Sequence, residues 1–225
     1  MKILCVSDFI DPLVYSASIK ERYHDVDLVL SAGDMPLDYL EFIVSSLDRP
    51  LLHVFGNHNL EAFEMYRSRL MPVMTVENFN RGIPGLGTTH ISDKVVRESG
   101  LLIAGLGGSM RYNHGLNQWT DFQMTLRVLR LVPRLFFNKL RYGRYLDILL
   151  THASPLGIHD RQDLCHKGFK VFLWFMRVFK PKYLLHGHIH LYDLAEVRKT
   201  RYNDTEIINV YSHYILNTEE GEVKF

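Results

Sequence analysis

Short apolar runs recur along this chain, and each stops abruptly at an aspartate, an asparagine or a histidine. Lys2–Ser7 ends at Asp8, Val26–Ala32 at Gly33-Asp34, and Leu51–Phe55 at Gly56-Asn57-His58. Further on, Ile148–Leu150 ends at Thr151-His152, and Tyr183–Leu185 at His186-Gly187-His188-Ile189-His190. Runs this short, apolar on successive residues, read as strands buried on both faces. Helical patterns separate the first of them: residues 16–23, then Leu37–Leu47, where Leu37, Leu40, Ile43, Val44 and Leu47 share a face. Strand, helix, strand, helix, strand predicts right-handed βαβ units on a parallel sheet, and so an α/β fold. Ligands of such sheets bind outside the carboxyl ends of the strands, and every one of these polar stops falls there.

The remainder is richer in strand. Val95–Arg97 and Leu101–Leu106 flank Glu98-Ser99-Gly100, a hairpin signal, and residues 206–216 read as further strand. With no linker or repeat, 225 residues fit one domain spanning 1–225. The net charge of +1 gives no general attraction to nucleic acid. Two cysteines, Cys5 and Cys165, are too few for a disulfide framework or a thiolate zinc site. Met1 leads straight into a strand and no run of about 18 apolar residues exists, so neither a signal peptide nor a membrane span is expected. The default compartment is the cytosol.

Laid side by side, the strands would gather Asp8, Asp34, Asn57, His58, His152, His188 and His190 at one rim. Carboxylate, amide and imidazole donors without thiolate suit Mn²⁺, Fe or Zn²⁺. Two such ions, about 3.5–4 Å apart, can clamp the attacking and leaving oxygens of a phosphoryl transfer.

Asp8, Gly33-Asp34, Gly56-Asn57-His58, Thr151-His152 and Gly187-His188-Ile189-His190 resemble the motifs of the calcineurin-like metallophosphoesterases, in that family's order, from residue 8 to residue 190. The resemblance implies a four-layer α/β/β/α sandwich. It also implies hydrolysis of a phosphomonoester or phosphodiester by a metal-bound hydroxide. Asp34 would bridge two ions, with Asp8 and His190 on the first and Asn57, His152 and His188 on the second. His58 would stand beside them as the catalytic acid or phosphate contact. Mn²⁺ is the expected ion, with Fe, Zn²⁺ and Ni²⁺ as alternatives.

One position departs from the family pattern. The first motif normally reads Asp-x-His, and here it reads Asp8-Phe9-Ile10, which removes an imidazole and weakens the first site. Asp11 is the nearest carboxylate, but a helix N-cap or first-turn role suits it better. A metal-binding scaffold with weak or no turnover is therefore the second reading.

Arg111 and Asn113, in a polar loop after a strand, are candidate phosphate contacts, with a plain loop as the alternative. His53 and His186 read as structural, His159, Asp160 and His166 as a solvated loop, and Ser154 as no nucleophile. In 124–144, Arg127, Arg130, Arg134 and Arg141 share a face, opposed by Val128, Leu131, Val132 and Leu135. Such a helix either docks on the core with its arginines in water or touches an anionic membrane. That second option keeps a membrane-surface phosphohydrolase open as a third reading. Pro133 is expected to kink or divide the helix, and 168–180 to pack into the core.

Overall fold

The computed structural model describes residues 1–61, 63, 87–193 and 196–218. Two sheets form its centre. In the first, β1 (Lys2–Ser7), β2 (Leu28–Ser31), β3 (Leu51–His53) and β4 (Thr88–His90) lie parallel in that order. The last described strand, β13 (Ser212–Asn217), closes the β1 edge antiparallel. The second sheet runs β11 (Lys199–Tyr202), β12 (Thr205–Asn209), β10 (Tyr183–His186), β9 (Ile148–Thr151), β6 (Leu101–Leu106), β5 (Lys94–Glu98). Its inner four strands are parallel and its edges antiparallel. A short pair, β7 (Ser109–Met110) and β8 (Gln118–Trp119), lies beside them.

Period-two alternation sends successive side chains of a strand into different cores. Ile3 and Cys5 of β1 join Leu30, Ile103, Leu150 and Leu185 between the sheets. Leu4 and Val6 instead face Ile19 of α1 (Ile19–Tyr23) and Leu40 and Ile43 of α2 (Leu37–Leu47). On the other side, Leu149 and Leu184 meet Val128 and Leu131 of α3 (Asp121–Tyr142) and Phe172 and Phe175 of α4 (Lys170–Phe179). Three apolar interfaces make four layers, α/β/β/α, as the resemblance implied. Each fully buried Leu or Ile is worth about 2 kcal/mol. A one-residue slip would only exchange the two buried faces, so register rests on size and shape complementarity.

The hairpin at Ser99-Gly100 forms as expected, both residues with positive φ (50° and 85°). The stretch 206–216 is not one strand. It divides at Val210-Tyr211 into β12 of the second sheet and β13 of the first, so the chain crosses between sheets there. Pro133 does not divide α3, which runs unbroken for 22 residues. A Thr120–Gln123 capping box starts it, and Gly143 (φ 76°) ends it with its N–H donated to the Lys139 carbonyl. Nor do the arginines of α3 share one environment. Arg127 is buried, donating to Asp93 Oδ1 at 2.7 Å and to the Gly107 carbonyl at 2.7 Å, with its guanidinium 4.5 Å from the Trp119 ring. No helix among the described residues is long and apolar enough to cross a membrane.

Candidate metal centre

The polar stops do converge at the carboxyl ends of the strands, and the backbone bends sharply to bring them together. Asp8, Asp34 and His188 all sit in the left-handed region, with φ of 64°, 55° and 67°. Non-glycine residues rarely adopt it, and such strain concentrates at functional sites. Space is equally constrained. A Cβ on Gly33 would stand 2.6 Å from His152 Nδ1, and one on Gly56 would strike the Asp34 carboxylate.

Donor atoms of Asp34, His152 and His188 all lie within 4.8 Å of one another. Each imidazole is oriented by a backbone carbonyl, which can only accept. His152 Nδ1 donates to Ala32 O at 2.8 Å, which turns Nε2 toward Asp34 Oδ2 (3.3 Å) and Asn57 Oδ1 (3.1 Å). His188 Nε2 donates to Cys165 O at 2.7 Å, leaving Nδ1 as its lone-pair nitrogen. Carbonyl or carboxylate partners of this kind set the tautomer and direction of metal-binding histidines. Asn57 Nδ2 donates to the Tyr112 hydroxyl at 3.3 Å, which fixes its oxygen toward His152.

Asp8 completes the group from the side. Its Oδ2 accepts the His188 backbone N–H at 2.9 Å. Its buried Oδ1 has no hydrogen-bond partner among the described residues, and the His190 Nε2 lies 3.9 Å away. A buried carboxylate oxygen left in this way is costly unless a cation faces it.

The electrostatics agree. Burial disfavours the His152 imidazolium, but the Asp34 and Asp8 carboxylates outweigh it and push its pKa up to about 9. Burial likewise opposes the Asp34 carboxylate, yet His152 and the His58 N–H (2.7 Å) hold it well below the usual range. Asp8 moves the other way, raised by burial and, less strongly, by the neighbouring Asp34 charge. His188 is pushed down to about 3, by burial first and by His152 next, which keeps it neutral. The Asp34 carboxylate, the Asn57 amide oxygen and two oriented imidazoles, with Asp8 beside them, fit a divalent cation, which would take the charge-balancing place of the His152 proton.

The remaining candidates are placed unevenly. His190 is partly exposed, its Nδ1 2.7 Å from the Tyr192 hydroxyl and its ring 4.9 Å from that of Tyr211. The His58 side chain is exposed while its backbone binds Asp34. Ile10 is exposed, and Phe9 beside it packs 6.2 Å from Tyr211. Asp11 does not turn to the centre. It accepts from Ser212 Oγ (2.5 Å), His213 Nδ1 (2.6 Å) and the Leu13 N–H, and it organises a turn, not the helix start expected of it, because the first helix begins only at Ile19.

Arg111 and Asn113 are engaged within their own loop. Arg111 donates to the Gln118 carbonyl and Gln123 Oε1, and Asn113 Oδ1 accepts the Gly115 N–H. His53 is buried beside His90 and Phe55, a structural place as read. His186 is buried, and His159 is not solvated: its Nδ1 lies 2.9 Å from His186 Nε2 and its Nε2 2.8 Å from Thr200 Oγ1. Asp160 accepts the Gly168 N–H, and the His166 ring packs 5.2 Å from His188. Contributors that escaped the sequence reading include the Tyr112 hydroxyl, the Ala32 and Cys165 carbonyls, and Asn117, whose Nδ2 holds the carbonyls of Phe55 and Gly56. All but Tyr112 act on or through the backbone, which leaves no mark in the sequence.

Solved structures share the fold. One crystal structure superposes on 97% of this chain and 95% of its own, with a TM-score of 0.66 and 12% identity. The protein TT1561 of Thermus thermophilus superposes on 94% of this chain and 89% of its own, with a TM-score of 0.60 and 14% identity. No curated protein matches the chain in sequence. A sequence profile of the calcineurin-like phosphoesterases matches residues 1–192, a range that includes the residues that converge at the centre. The chain belongs to the calcineurin-like phosphoesterase family.

Proposed function

We propose that this protein hydrolyses a phosphomonoester or phosphodiester with the help of bound divalent cations, Mn²⁺ first among them. The observation that carries this reading is the convergence of Asp34, His152 and His188, with the unpaired Asp8 Oδ1 beside them. Asp34, Asn57, His152 and His188 would hold one ion, and Asp8, Asp34 and His190 a second, weaker one. Ions so held lower the pKa of bound water and neutralise charge on the transferring phosphoryl group. The chain's own residues supply the rest. Ala32 and Cys165 carbonyls aim the imidazoles, and Tyr112 aims the Asn57 amide. The exposed His58 ring is free to protonate a leaving oxygen.

Elemental analysis, paired with hydrolysis of bis-p-nitrophenyl phosphate and p-nitrophenyl phosphate in added Mn²⁺, tests the proposal. Bound metal with turnover supports it, and the ratio of the two rates separates diester from monoester. Metal without turnover at any Mn²⁺ level sinks it and favours the scaffold reading, whose specific support is the aliphatic Ile10 at the place of a family histidine.

A further inference from the structure

Helix α3 carries two apolar stripes, and only one is used by the core. Met124, Val128, Leu131 and Leu135 are buried under it. On the opposite side, Phe122, Leu126, Leu129, Phe136 and Leu140 share one helical face, at steps of three, four or seven residues, and are exposed to solvent in whole or in part, with Phe137 next to them. Exposure reaches 71% at Phe122 and 89% at Leu140. Trp174 and Val178 of α4 extend the patch. Apolar patches that large seldom stand open on a protein without a binding role.

Charge around the patch is mostly of one sign, with Asp121 at the groove the exception on the two helices. Arg130, Arg134 and Arg141 run down one flank of the outer stripe, and Lys170 and Arg177 come from α4. No acid occurs from Phe122 to Leu146, nor from Leu164 to Tyr192, although the whole chain is nearly neutral at +1. Asp121, at the start of α3, is the one carboxylate on the two helices. Between the helices, Phe122, Leu129, Val171 and Trp174 line a groove of about 480 Å³ with Lys170 and Arg177 at its edge.

We infer that the α3–α4 face docks on the surface of an anionic lipid bilayer, with the outer stripe of α3 lying in the headgroup region. The stripe is exposed along the length of the helix and bordered by cations, and an anionic bilayer receives such a face without matching pockets. A helix with an apolar edge and flanking arginines lies in the interface, apolar side chains down and cations at headgroup phosphates. With 22 residues, α3 is about 33 Å long and meets many lipids at once. The opposite face of the same helix is committed to the core, so the helix lies on the bilayer and does not enter it. Its start adjoins the β7–β8 pair, whose connecting loop places Tyr112 against Asn57, so the docked edge neighbours the metal centre.

Vesicle flotation tests this without reference to turnover, so it stands or falls apart from the phosphoesterase proposal. Vesicles of phosphatidylcholine with a quarter phosphatidylglycerol should carry the protein upward at low salt. Phosphatidylcholine alone should carry at least about tenfold less, as should the anionic vesicles in high salt. Phe136→Asp combined with Leu140→Asp, and separately Arg130→Gln combined with Arg134→Gln, should each cut the floated fraction about tenfold. Circular dichroism on these exposed-site variants checks folding. Unmodified protein gives a second readout: brominated-acyl phosphatidylglycerol should quench Trp174. Protein that stays soluble with anionic vesicles at low salt, with no quenching, overturns the inference. So does binding to polyglutamate but not to vesicles, which points to an acidic protein. A dimer dispersed by Leu140→Asp, without flotation, overturns it in favour of a second copy of the chain.

Discussion

Asp34 Oδ2 stands 3.3 Å from His152 Nε2, although one residue follows a strand of the first sheet and the other a strand of the second. The pair ties the two halves of the candidate centre. Asp34→Asn keeps the shape and removes the charge that both proposed ions share. We expect metal content to fall to background and phosphoester hydrolysis to drop at least about a hundredfold, equivalent to about 2.7 kcal/mol. Elemental analysis beside a p-nitrophenyl phosphate assay decides it, and full metal retention would refute the bridging role.

His58 is hydrogen-bonded to Asp34 through its backbone N–H, while its side chain is exposed. His58→Ala should therefore leave the metal in place and lower kcat by about 10²- to 10⁴-fold, the range of a lost general acid. Metal loss in this variant would make the ring a ligand instead.

Ile10 occupies the place where the family offers an imidazole, and its side chain is exposed. Introducing histidine by Ile10→His should raise the number of ions bound per chain. An unchanged stoichiometry would mean that another group already serves the first site.

Half-buried His159 and fully buried His186 lie together and stay neutral, desolvation pushing their pKa values down to about 4 and about 3. The unfolded chain protonates near 6.5, before the folded one does. Their contribution is thus complete above pH 6.5 and is lost as pH falls toward 4, at up to about 1.4 kcal/mol per pH unit for each histidine. Urea midpoints at pH 7 and pH 5 should differ less in His159→Gln than in the unmodified protein. Equal differences would assign the acid sensitivity elsewhere.

Arg127 is the inward member of the α3 arginines. Arg127→Met strips the Gly107 carbonyl and Asp93 of a charged donor, while the half-exposed Asp93 regains water. A loss of about 2 kcal/mol is expected, below the range for a fully buried pair. Arg130→Gln, at an exposed position, should change stability by less than about 0.5 kcal/mol. Paired denaturation curves compare the two.

The central strands were legible because both their faces are buried, so Lys2–Ser7 and Tyr183–Leu185 read as continuous apolar runs. The centre was legible for the related reason that Asp8, Asp34, Asn57, His152 and His188 interrupt those runs. Other features had no local signal. Val210-Tyr211 is as β-prone as its flanks, so nothing marks the crossing between sheets. Arg127 sits at the edge of the arginine arc, and its inward turn depends on Asp93, distant in sequence. The second stripe of α3 was visible as residues, but only burial shows which stripe the core takes.

The crossing at Val210-Tyr211 also has a mechanical meaning. Asp8, Asp34 and Asn57 ride on one sheet, while His152 and His188 ride on the other, and the shared apolar layer and the polar contacts of the centre hold the two planes in register. The continuous chain from β12 into β13 acts as a rivet through both, next to the donors themselves. The spacing of the proposed metal donors is then a gauge of sheet alignment: wear anywhere in the middle layer would be felt first as a site of the wrong width.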